Sequence, residues 1–107
     1  MAKFTFTREP VVDWPVTVQV PTQRGVEAQT FTARFRILPM ADRQEIGDIK
    51  ALMARAWVGW GADLLDADGA PLAFSDGVRD ELMGYDYIVT AVSRAYARAC
   101  MGVEEKN

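Results

Sequence analysis

Three aspartates, Asp63, Asp66 and Asp68, stand just before Gly69, and this spacing invites a calcium loop. With Gly69 at the sixth position of such a loop, an oxygen ligand is needed at Leu64 and a glutamate at Ser75. Neither is present, so the stretch reads as an Asp-Gly turn. Glu9, Asp13, Glu27, Glu45, Asp80 and Glu81 supply further carboxylates, but no pair has a spacing that demands acid/base work. There is no histidine, the commonest general base and metal ligand. Ser75 therefore has no partner to activate it and reads as a helix cap. Cys100 falls on an apolar helix face and reads as a small core residue. No glycine-rich phosphate loop occurs. These residues form no catalytic constellation, which counts against an enzyme, and the chain is expected to need no cofactor and no metal.

The elements that would carry these residues follow from periodicity. Phe4 and Phe6 alternate with Lys3, Thr5 and Thr7, a short strand pattern that Pro10 interrupts. Trp14, Val16, Val18 and Val20 share one face of a second strand; Thr17 and Gln19 share the other. A polar loop over residues 22–27 leads to a third strand. There Phe31, Ala33, Phe35 and Ile37 face the core, and Thr30, Thr32, Arg34 and Arg36 face water. Asp42, with Glu45 three residues on, has capping-box spacing. Ile46, Ile49, Leu52, Met53 and Ala56 then make one helical stripe, so one helix is expected from about Arg43 to Ala56, weakened by Gly47. Residues 57–60 fit a helix end or a short strand equally. Ser75 opens a second helix that Gly84 ends, and a third runs from Asp86 to Met101, with Gly102 as its stop.

The expected architecture is a single α+β domain over residues 1–107, with an N-terminal antiparallel hairpin or small sheet packed against about three helices. Twelve basic against 15 acidic residues give a net charge of −3, which counts against nucleic acid as a partner. No run approaches the roughly 20 apolar residues that span a bilayer. The opening residues lack the apolar core of a signal peptide, and a single cysteine suits a reducing compartment. A chain acting in the cytoplasm, without membrane contact, is expected.

Binding surfaces are the remaining candidates. Arg34, Arg36 and Thr32 lie on the wet face of the hairpin, which serves either as solvated sheet or as a partner-binding face. Trp60, between Gly59 and Gly61, either packs under the turn or presents an aromatic surface to a partner.

The order of several short texts adds a resemblance that covers nearly the whole chain. Val18–Thr22 reads Val-x-Val-Pro-Thr, and Thr30–Pro39 reads Thr-Phe-Thr-Ala-Arg-Phe-Arg-x-Leu-Pro. A helix follows, then Val-Gly-Trp at 58–60, Asp-Ala-Asp-Gly-Ala-Pro-Leu-Ala-Phe-Ser at 66–75, and Ala95-Tyr96. The set resembles the tail assembly chaperones of long, non-contractile-tailed bacteriophages and prophages.

That resemblance implies a protein that binds and solubilises the tape measure protein, helps bring tail tube subunits to it, and is absent from the finished virion. It implies action in the cytoplasm of the bacterial host. It also implies a second, longer form made by programmed frameshifting, with which an A-rich codon run at Glu105–Asn107 is compatible. It supplies no catalytic residues. The oligomeric state stays open, from a monomer to a homo-oligomer wound around a helical client. The alternative is a structural minor tail or tail-completion protein that remains in the particle.

Overall fold

The computed structural model describes residues 2–104. The Glu105–Asn107 run discussed above lies outside the described residues. Two long strands, β1 (Val11–Thr22) and β2 (Gly25–Arg36), form an antiparallel hairpin. Helices α1 (Met40–Ile46) and α2 (Ile49–Ala56) follow, then a short strand β3 (Trp57–Trp60), and then helices α3 (Asp76–Leu82) and α4 (Asp86–Met101). The sheet has the order β1-β2-β3 and is antiparallel throughout. This is the expected α+β architecture, a small antiparallel sheet with helices, of which there are four in place of the expected three or so.

The hairpin is longer than the sequence pattern suggests. In place of a loop over residues 22–27 there is a two-residue turn, Gln23-Arg24, closed by the pair Thr22↔Gly25. Gly25 adopts φ +121°, a conformation that L side chains rarely take. The Thr22 hydroxyl accepts from Arg24 N–H and donates to the Gly25 carbonyl. The tip projects beyond the body, and every residue from Pro21 to Thr30 is exposed. The radius of gyration, 14.5 Å, exceeds the roughly 13 Å of a compact chain this long.

Ladder parity decides which backbone groups stay free. Ile37 N–H donates to the Pro10 carbonyl, and the same alternation ties the even-numbered residues of β1 to the odd-numbered residues of β2. Pro15 and Pro21 occupy outward-facing positions of β1, where a missing N–H breaks no ladder bond. They also blunt that edge against further pairing.

The core fills the inner face. Val16, Val18, Phe31, Ala33 and Phe35 meet Met53, Ala56, Met83, Val92 and Tyr96 from the helices. Tyr96 packs edge-on against Phe35 at 5.2 Å between ring centroids. Its hydroxyl accepts from Leu38 N–H at 3.0 Å and donates to the Arg36 carbonyl at 2.9 Å. This fastens α4 to the exit of β2.

Three expectations fail for local reasons. Residues 2–7 form no strand; Phe4 and Phe6 are 88% and 65% exposed. The single helix over 43–56 is two helices. Gly47 takes φ +71° at the end of α1, and Asp48 then caps α2 by accepting from Ala51 N–H. Asp42 is not a cap, because the chain already enters α1 at Pro39, whose φ of −57° suits a helix start. The other boundaries agree closely. Ser75 accepts from Val78 N–H, and Gly102 ends α4 in a left-handed turn with Val103 N–H bonded to the Arg98 carbonyl. No helix among the described residues is long and apolar enough to cross a membrane.

Candidate protein-binding groove

Strand β3 covers only part of β2. It pairs with Ala33, Arg34 and Phe35, with a bulge between the last two. Gly61 N–H then reaches the Thr32 carbonyl. One residue pair further along, the strand is replaced by a side chain. Asp63 accepts from Thr32 N–H at 3.0 Å and from the Thr32 hydroxyl at 2.8 Å. The Thr32 N–H is the main reason the Asp63 carboxyl is held below its ordinary value. Past this point the outer edge of β2 has no neighbouring strand among the described residues.

A groove of about 490 Å³ opens there. Val18, Val20, Phe31 and Trp57 form its floor, and Leu64, Leu65, Leu82 and Ile88 form its walls. Gln29, Asp63 and Asp66 supply polar groups at its margin, and among the described residues no lysine or arginine lines it. Its size and apolar lining suit an apolar side chain or short segment. Trp57 is wholly buried, and its indole N–H has no hydrogen-bond partner among the described residues. Such an orphan donor costs about 1–3 kcal/mol.

An aromatic row backs the groove. Phe31, Trp57, Trp60 and Phe74 follow one another at centroid distances of 6.1, 5.4 and 4.7 Å. Trp60 is half-buried, and its indole N–H donates to the Leu72 carbonyl at 2.7 Å. It is a packing residue of the 57–75 stretch. Below the row, Arg79 is 5% exposed. Its guanidinium bonds Asp76 and Asp80, both at 3.1 Å, and reaches the Trp57 carbonyl at 3.4 Å. The two aspartate bonds lie within α3 and orient the guanidinium, and its single charge-assisted bond to the Trp57 carbonyl joins α3 to β3 under the groove floor. Sequence periodicity missed Arg79, because an arginine beside two aspartates reads as solvated surface.

The residues expected to bind a partner do not form one surface. Thr32, Arg34 and Arg36 lie on the outer face of the sheet, whereas Trp60 pairs with Ala33 and projects from the inner face. Arg34 is bonded to Asp13 across the hairpin at 3.0 Å, and its side chain lies beside Gly59. Thr32 is held by Asp63. Cys100 is partly exposed at the margin of the core.

The three aspartates go separate ways. Asp63 holds Thr32, while Asp66 closes its own turn by accepting from Asp68 and Ala70 N–H groups. Gly69, at φ +84°, completes that turn. Among the described residues no three such side chains are placed to hold a metal ion. No protein-family model matches this chain, and neither does a curated protein or a solved structure.

Proposed function

We propose that this chain is a phage tail assembly chaperone. It seats apolar segments of the tape measure protein in the groove between the hairpin and helices α3 and α4. The observation that carries the proposal is the groove itself, an open apolar trough walled by leucine and isoleucine and floored by Val18, Val20, Phe31 and Trp57. A long helical client with apolar stripes aggregates unless those stripes are covered. Laying such a stripe into a groove is an established recognition mode. The resemblance in sequence order suggests the client, and an open apolar groove supports that reading. Recruitment of tail tube subunits and action in the bacterial cytoplasm follow from the same resemblance.

The test is co-expression with the product of the very long reading frame that such a chaperone's gene precedes. The expected result is a soluble complex and an insoluble client when the chain is omitted. Mass spectrometry of purified particles then separates a chaperone, absent from the virion, from a minor tail protein that stays in it.

A further inference from the structure

We infer that, in the absence of client, a second copy of this chain lends its Lys3–Arg8 segment as an added strand along the free edge of β2, with Phe4 and Phe6 occupying the groove that the client otherwise fills, an inference that shares its site with the proposed function. Three observations meet here. The first is the free edge. Thr32 directs both its N–H and its carbonyl toward the β3 side. With a two-residue repeat, Thr30, Ala28 and Val26 direct theirs the same way, past the point where Asp63 ends the ladder. Unlike β1, this edge carries no proline at an outward-facing position. Unpaired and unblocked, it is a template for strand addition.

The second observation is a strand without a sheet. Lys3–Thr7 alternates polar and aromatic residues, yet it pairs with nothing, and its two phenylalanines are among the most exposed apolar side chains in the molecule. Alternation places Phe4 and Phe6 on one face of an added strand. That face meets the groove when the strand lies beside Thr30, because the groove sits under the inner face of the sheet. Charge agrees. Lys3 and Arg8 flank the aromatic pair, whereas Asp63 and Asp66 border a groove with no basic lining residue among the described residues.

The third observation is reach, which makes the donor another copy. Val11 lies opposite Arg36, and Thr17 lies opposite Thr30, six residues further along β1. That separation is about 20 Å along the strand, and the free edge lies about 10 Å across the sheet, some 22 Å away in all. Phe6 is five residues from Val11 and can travel at most about 18 Å. A chain cannot place its own Phe6 beside its own Thr30, but a neighbour's arm meets no such limit.

The test uses the purified full chain alone, by sedimentation or light scattering across a concentration series. The wild type is expected to self-associate. The double substitution Phe4→Ser and Phe6→Ser alters two exposed side chains, of which Phe6 stacks only on Arg8 of the same segment, and it should yield a monomer. Ala28→Pro removes one outward N–H, as Pro15 and Pro21 do on β1, and should also yield a monomer. Mixed together, the arm variant supplies an intact edge and the edge variant an intact arm, so a 1:1 dimer should form. A wild type that stays monomeric overturns the inference, and so does an arm variant that assembles as the wild type does. Client capture is a separate readout. An arm variant that is monomeric but still binds client keeps both proposals, whereas a self-associating chain that binds no client sinks only the chaperone reading.

Discussion

The carboxylate of Asp63 takes the place of a strand beside Thr32, receiving both its N–H and its hydroxyl. The sheet ends there and the groove begins. Because the Thr32 N–H lowers the folded-state pKa from the ordinary 3.8, the anion stabilises the fold at neutral pH. That contribution is present above the unfolded carboxyl's pKa and is lost as pH falls through the lower folded-state value. Asp63→Asn keeps an acceptor but removes the charge. Urea midpoints measured from about pH 5 downward should fall for the wild type and fall less for the variant, with a small difference because Asp63 is exposed.

Tyr96 fastens α4 to the end of β2 with one bond accepted and one donated. Tyr96→Phe leaves Leu38 N–H and the Arg36 carbonyl without that partner and should cost about 1–3 kcal/mol at neutral pH. Burial, the largest cause, pushes the hydroxyl up to about 12 from 10.0. The folded state therefore holds this proton more tightly than the unfolded chain. The stability it gives is intact below the unfolded pKa and is lost as pH rises through the folded one. Chemical denaturation between pH 10 and 12 should show a steeper loss for the wild type than for the variant.

Arg79 is the buried charge that joins α3 to the Trp57 carbonyl. Arg79→Met keeps much of the apolar stem but removes every donor. Charge-assisted bonds of this kind contribute about 1.5–3 kcal/mol, so a loss of that order is expected in equilibrium unfolding. Fluorescence of the Trp57–Trp60 pair should change as well, because the floor beneath it loosens.

Arg34 and Arg36 lie on the opposite face of the sheet from the groove. Charge reversal at both puts a carboxylate opposite Asp13, but the exposed pair it replaces is worth less than about 1 kcal/mol. The domain should stay folded by circular dichroism. If the outer face also touches the client, co-purification of tape measure protein should fall; unchanged recovery would leave the groove as the sole contact.

Much of the fold was legible because single signals sufficed. The alternation around Val16–Val20 and Phe31–Ile37 defined the hairpin, and Ser75 and Gly102 marked true helix ends. Gly47 weighed by propensity alone reads as a weak point inside one helix, and Asp48 beside it changes that. Taken together they are a C-cap followed by an N-cap, and the helix divides between them. Phe4 and Phe6 carry a genuine strand pattern, but alternation cannot say whether a partner strand is present in the same chain. The groove was not legible at all. Its lining comes from β1, β2, β3, the 63–66 turn, α3 and α4, and only the tertiary arrangement brings Val18, Leu64 and Ile88 together.

The central claim is that the groove holds the client, and a substitution on its wall tests it most directly. Leu64 is only partly buried, so Leu64→Asp should leave the domain folded while placing a charge where an apolar side chain must dock. Capture of co-expressed tape measure protein by this variant is the measurement, with circular dichroism to verify the fold. Loss of the soluble complex with the fold intact is the predicted result. Capture equal to that of the wild type would contradict the claim.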